Sequence, residues 1–169
     1  RNTNFDNNFN LDLSDVAVRW VKTEVVDKLQ LLENDILVEK SGGSPYQPVG
    51  RVAIIEKLPS DKPVVFSNFL QRIRVDSKKI NPKFIYAYLR TLYHLSYMEY
   101  IQNQTTGIKN LLTDDFEQIQ VPLIEAKEQE EFANKLIGGF CAAKEKIEKT
   151  YSELLEIRNE LSNKIRQTT

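Results

Sequence analysis

The sequence predicts an α+β protein, with a compact mixed sheet-and-helix domain over residues 1–124 and a long, coiled-coil-like amphipathic helix over residues 125–169. Three observations carry that expectation. Short apolar runs bounded by Gly, Pro, Asn and Asp recur up to about Val75, as strands require. A stretch opened by Asn81-Pro82 shifts to helical spacing, and from Glu125 to about Arg166 there is no proline while apolar residues recur by threes and fours. With 169 residues and 41 % hydrophobic content, the chain has enough apolar side chain for a core.

Taken in order, the opening RNTNFDNNFN is polar, rich in Asn and headed by Arg1, and it reads as part of something longer. In VAVRWVKTEVVDKLQLL the apolar positions Val16, Val18, Trp20, Val21, Val25, Val26 and Leu29 predict a strand running into a short helix. Asn34-Asp35 is a turn, ILVEK a strand, and VGRVAIIEKL (49–58) the next strand. VVFSNFLQRIRVD gives another, in which period two puts Arg72 and Arg74 on one face. Pro82 suits the first position of a helix carrying Phe84, Ile85, Tyr88, Leu89, Leu92 and Leu95, with a break near Ser96. A polar loop around Gly107, a Thr113 or Asp114 cap before a helical turn, and a brief strand closing at Pro122 complete the domain.

Several functions are excluded by what is scarce. A single cysteine, Cys141, permits no internal disulfide, and with the single histidine, His94, it cannot assemble a Cys/His zinc site within one chain. His94 lies in no nucleophile motif and reads as a packing or surface residue, so no catalytic residue, metal or cofactor is expected. No apolar run reaches the ~18 residues a membrane span needs, so no membrane partner and a cytoplasmic location are expected.

The net charge of −1 hides an asymmetry. Lys and Arg against Asp and Glu number four to seven over residues 1–35, eleven to five over 36–112 and eight to twelve over 113–169. A basic middle (+6) suits phosphate, and the acidic last segment (−4 over residues 113–169), which runs into the long helix, would avoid DNA but not a protein partner. That helix, about forty residues at about 1.5 Å each, reaches roughly 60 Å. Its apolar seam needs a partner along Phe140, Ile147, Tyr151, Leu154, Ile157 and Leu161.

ILVEKSGGSPYQPVGR turns from strand into Gly and Pro and clusters Lys40, Ser41, Ser44, Tyr46, Gln47 and Arg51 there. It lacks the GK[ST] of a phosphate loop and the GxGxxG of a dinucleotide fold. A stiff loop of this kind offers phosphate donors and an amide able to read base edges. QNQTTGIKN (102–110) is a second polar loop of the same character.

VEKSGGSPYQPVGRVAI, VFSNFLQRIR and QTTGIKNLLTDDFEQIQVPL, followed by Glu128-Gln129 and the long helix, together resemble the target recognition domain and helical spacer of type I restriction-modification specificity subunits. Similar modules are fused to the methyltransferase in single-chain restriction enzymes. Asn34 stands where that family commonly has Gly before Asp-Ile-Leu, and Ala126-Lys127 interrupts its usual approach to the EQ pair. The resemblance implies a non-catalytic reader of double-stranded DNA that works with an adenine methyltransferase subunit and, through the complex, an endonuclease subunit. Its helix is expected to pair with itself or with a second recognition domain. Lys40, Ser41, Ser44, Gln47, Arg51, Thr105, Thr106 and Lys109 are expected near DNA, with Arg72 and Arg74 as phosphate partners or structural ion pairs. The alternatives are a protein-interaction scaffold centred on the helix, or the C-terminal specificity region of a fused methyltransferase-endonuclease.

Overall fold

The computed structural model describes the backbone of residues 1–168 apart from 7, 15, 45, 46, 60, 61 and 106, and the side chains of these residues up to 160, that of Thr105 excepted. The chain forms two compact units, Arg1–Ala133 and Asn134–Thr169. The elements run α1 (Thr23–Leu29), β1 (Ile36–Glu39), β2 (Ser41–Gly42), β3 (Val52–Ile54), β4 (Leu70–Ile73), α2 (Pro82–His94), α3 (Tyr97–Tyr100), β5 (Gln102–Thr105), β6 (Ile108–Leu111), α4 (Thr113–Glu117) and α5 (Ala126–Thr168). Two small antiparallel sheets, ordered β3-β1-β4 and β2-β6-β5, together with the helices make the predicted α+β fold.

β1 is the central strand of the first sheet and is buried along its whole length, which is why it reads as an apolar run rather than an alternating one. Leu37 and Ala53 face each other and join Phe5, Leu31, Ile55, Val64 and Leu70 in one cluster. Ile36, Val38 and Val52 point to the opposite face, and α2 packs against β3. Burying each large apolar side chain contributes roughly 1.5–3 kcal/mol. An exposed ion pair such as Lys79–Asp76, at 3.9 Å, contributes less than about 1 kcal/mol, so apolar burial fixes this sheet.

The turn into β1 accounts for Asn34. Its φ of +70° lies in the left-handed region, which Asn tolerates better than other side-chain-bearing residues, and its N–H donates to the Ile55 carbonyl at 2.8 Å. Asn therefore does here what Gly would do.

α2 begins as expected. Asn81 Oδ1 accepts the Lys83 N–H at 2.9 Å with Pro82 behind it, and the helix stops at Leu95–Ser96, where Ser96 takes φ +60°. The Asn81 N–H in turn donates to Gln129 Oε1 at 2.8 Å, while Gln129 Nε2 donates to the Ile124 carbonyl at 2.8 Å. Glu128 Oε2 accepts the Glu125 N–H at 3.2 Å, closing the first turn of α5. Glu128 thus caps the start of α5, and Gln129 ties it to the start of α2. The helix continues through Gly138-Gly139 without interruption.

Six local expectations are corrected. Among the described residues no strand forms over Val16–Val21, because no neighbouring strand offers a ladder there; Val18 and Trp20 are exposed and the short helix alone forms. The strands expected over 49–58 and 64–76 shrink to Val52–Ile54 and Leu70–Ile73, the stretches that pair with β1. The loop around Gly107 is a hairpin, with Gln102 opposite Leu111 and Thr105 opposite Ile108. Neither Thr113 nor Asp114 caps α4, since both lie inside it after the N-cap Leu112. Among the described residues no strand forms over 119–122, in place of the brief one expected to close at Pro122.

Candidate nucleic-acid interface

The loop after β1 is clamped at its base. Glu39 is 1 % exposed, and its two carboxylate oxygens accept from Arg51 Nε at 2.8 Å and Nη2 at 2.9 Å. The backbone closes the same gap, with the Glu39 N–H donating to the Arg51 carbonyl and the Gly50 N–H to the Glu39 carbonyl, each at 2.8 Å. Phe5 lies beneath the guanidinium, with its ring centroid 5.4 Å away. Burial works against the Arg51 charge, but Glu39 more than offsets it and holds the guanidinium above its ordinary pKa.

Further contacts hold the described residues on either side of positions 45 and 46. The Ser44 N–H donates to the Gln47 carbonyl at 3.0 Å, and the Gln47 N–H returns the bond to Ser44 at 3.2 Å. Tyr93 donates its hydroxyl to the Pro48 carbonyl at 3.3 Å, and Val49 donates to Gln102 Oε1 at 3.1 Å. Gly50, at φ +94°, lies so close to Met98 that a Cβ there would stand 2.9 Å from Cγ. Hydrogen bonds made by Ser44, Gln47, Pro48 and Val49 within the fold lower the entropy these residues have to lose on binding.

The two polar segments that looked like separate loops form a single sheet. β2 pairs antiparallel with β6, Ser41 opposite Asn110 and Gly42 opposite Lys109, and β5 lies on the far side of β6. Ser41 Oγ donates to Asn110 Oδ1 at 2.6 Å. The Lys109 stem lies over Gly43, where a Cβ would meet Lys109 Cδ at 3.3 Å and the Gln47 carbonyl at 2.8 Å. Gly43 sits at φ +68°, so this close approach and this conformation both call for glycine.

Lys40, Ser41, Ser44, Gln47, Lys109 and the Thr105 backbone are thereby gathered on β2, its loop and the β5–β6 hairpin. Thr106 and Tyr46 lie outside the described residues. Arg51 is 8 % exposed, with its carboxylate-facing donors taken up inside the fold. Arg72 and Arg74 belong to the other sheet and its end. Both donate to the Gln30 carbonyl, at 2.7 and 3.0 Å, and Arg74 also holds buried Asp35 through two bonds of 2.7 Å. That pairing keeps the Arg74 guanidinium charged above its ordinary pKa. On α5, Ile147, Tyr151, Leu154 and Ile157 are exposed and Phe140 is half-buried, while the Leu161 side chain lies outside the described residues.

Three residues of the site escaped the sequence reading, Glu39, Tyr93 and Met98, while Gln102 and Asn110 were included only as the ends of a polar loop. Only Glu39 carried a signal, as an acid continuing an otherwise apolar strand. The others act through contacts that spacing along the chain does not reveal. Among the described residues no group of side chains could hold a metal ion, and no helix is long and apolar enough to cross a membrane.

The site is thus a polar sheet and loop on a mixed domain that a long helix follows. The family model for the type I restriction modification DNA specificity domain matches residues 4–165, and the chain belongs to that family. Its role is DNA recognition in type I restriction-modification. No curated protein matches the sequence.

Proposed function

We propose that the chain reads part of a DNA site through the β2-β6-β5 sheet and the loop from Lys40 to Gly50, and positions methyltransferase and endonuclease subunits without catalysis of its own. The observation that supports this best is the joining of SGGS and QTTGIKN, whose Ser41 and Asn110 are 69 positions apart, into one polar surface. Lys40 and Lys109 supply phosphate contacts, and Gln47, Ser41, Ser44, Thr105 and Thr106 supply groups for base edges or backbone. Arg51 acts through Glu39 to hold the loop, and Arg74 through Asp35 to hold the turn before β1. The work is cytoplasmic, where the DNA is.

Binding of the full chain to a labelled duplex library, at low and moderate salt and with and without a type I methyltransferase subunit, tests this reading. Sequence-selective, salt-dependent binding is expected. A chain that binds protein partners but no DNA under any of these conditions would be a scaffold instead, and methyl transfer or cleavage by the chain alone would refute the non-catalytic part. The exposed residues Ile147, Tyr151, Leu154 and Ile157 favour a second role for α5, pairing with another copy or with a second recognition domain.

A further inference from the structure

Next to the polar sheet, a cleft of about 390 Å³ is bounded by α1, β4, Lys40 and the start of α4. Lys28, Lys40 and Arg72 line it together with Phe66, Gln71 and Thr113, and its lining contains no carboxylate. Among the described residues neither lysine ammonium has a hydrogen bond or ion pair. Arg72 is oriented in advance, with Nη1 on the Gln30 carbonyl at 2.7 Å and its guanidinium over the Phe66 ring at 5.8 Å, which leaves its other donors unspent. Three cations around one concavity repel each other until an anion enters, and apolar walls strengthen the field. The volume equals on the order of ten waters at about 30 Å³ each, room for a phosphodiester with its sugars.

We propose that this cleft seats a backbone phosphate of the bound DNA, held by Lys28, Lys40 and Arg72, an assignment that rests on the DNA-reading function above. Lys40 commits the cleft to DNA rather than to a free anion. It is the residue between β1 of one sheet and β2 of the other, its N–H bonded to the Phe69 carbonyl and its carbonyl accepting from Leu111, each at 2.8 Å. The cleft and the polar sheet therefore share a wall, and one duplex strand can follow both. Lys28, which no loop motif singles out, becomes a DNA-contacting residue.

The experiment is the salt dependence of DNA binding by the full chain, wild type against Lys28→Gln, with Lys79→Gln as a charge control outside the cleft. Losing one phosphate contact lowers the slope of log K against log salt by about 0.9, which is about eight-fold in affinity at 0.1 M salt, equally for all sequences. That result for Lys28→Gln, with Lys79→Gln unchanged, supports the cleft. An unchanged slope in Lys28→Gln, or an equal loss in Lys79→Gln, overturns it while leaving DNA reading intact. Inorganic phosphate that shifts cleft resonances at matched ionic strength, without any Lys28→Gln effect on DNA, makes the ligand a free anion and also overturns it. A wild-type chain that binds no DNA removes both readings together.

Discussion

Arg51 and Glu39 form a buried two-bond ion pair across the base of the recognition loop, joining the residue that ends β1 to the one that precedes β3. Removing one partner of such a pair leaves the other charged and unpaired in the interior, at a cost of about 3–5 kcal/mol. Arg51→Ala should therefore lower unfolding free energy by that much in a denaturant titration. Changing both residues to apolar ones, Glu39→Leu with Arg51→Met, should recover most of the loss. Arg51→Ala should also leave the salt slope of DNA binding intact where binding persists, because the side chain faces inward. A loss within the ~0.5 kcal/mol typical of surface substitutions would show that the pair does not hold the loop.

Tyr93 anchors the same loop from α2. Burial is the main reason its phenol is pushed up to about 12, with its hydroxyl directed at the Pro48 carbonyl. Because the folded pKa lies above the ordinary value of 10.0, stability from the neutral phenol is complete below pH 10 and falls as pH rises toward 12. Tyr93→Phe should lose about 1 kcal/mol near neutral pH, for one hydrogen bond, and should lack this part of the alkaline decline. Denaturant titrations of both proteins across that pH range measure it. Parallel declines in wild type and variant would place the phenol's titration outside the folding equilibrium.

Much of this fold is written locally, and the site mostly is not. β1 could be read because a central strand covered on both faces needs Ile36, Leu37 and Val38 in succession. α2 could be read because Asn81 and Pro82 cap it in place. The β5–β6 hairpin hid because its strands carry Gln, Asn and Lys rather than alternating apolar residues, so only Gly107, at φ +86°, marked a turn. The role of Arg51 was invisible for another reason. A cation beside two glycines and two prolines looks like a ligand-facing group, and what turns it inward is a carboxylate twelve residues earlier. Several residues that carry the family resemblance, among them Arg51, Asn110, Glu128 and Gln129, prove to build the scaffold around the site.

Lys109 and Gln47 should respond differently to substitution, although both stand beside Gly43. Lys109→Gln is expected to weaken binding alike for all DNA sequences and to lower the salt slope by about 0.9. Gln47→Ala is expected to keep the slope and relax preference at one base pair, by about 1–3 kcal/mol of discrimination if its amide makes a two-bond contact. Binding of a randomised duplex pool followed by sequencing, with titrations at several salt concentrations, separates the two. Identical profiles for the two variants would mean that the loop does not divide the work between phosphate and base.

Ile147, Tyr151, Leu154 and Ile157 recur by threes and fours on α5 and are exposed, an apolar stripe of the kind two helices bury between them. Lys144–Glu148, at 3.8 Å, is an exposed pair that contributes less than about 1 kcal/mol, so surface charge does not substitute for a partner. Wild-type chain should therefore self-associate in sedimentation equilibrium, and Leu154→Asp should shift it to monomer by placing a charge in the seam. DNA affinity per recognition domain should change little in that variant, because the residue lies in the second unit, whereas any gain from linking two half-sites should disappear. A wild-type chain that stays monomeric at high concentration, with α5 fully helical by circular dichroism, would assign the stripe to a different protein rather than to a second copy.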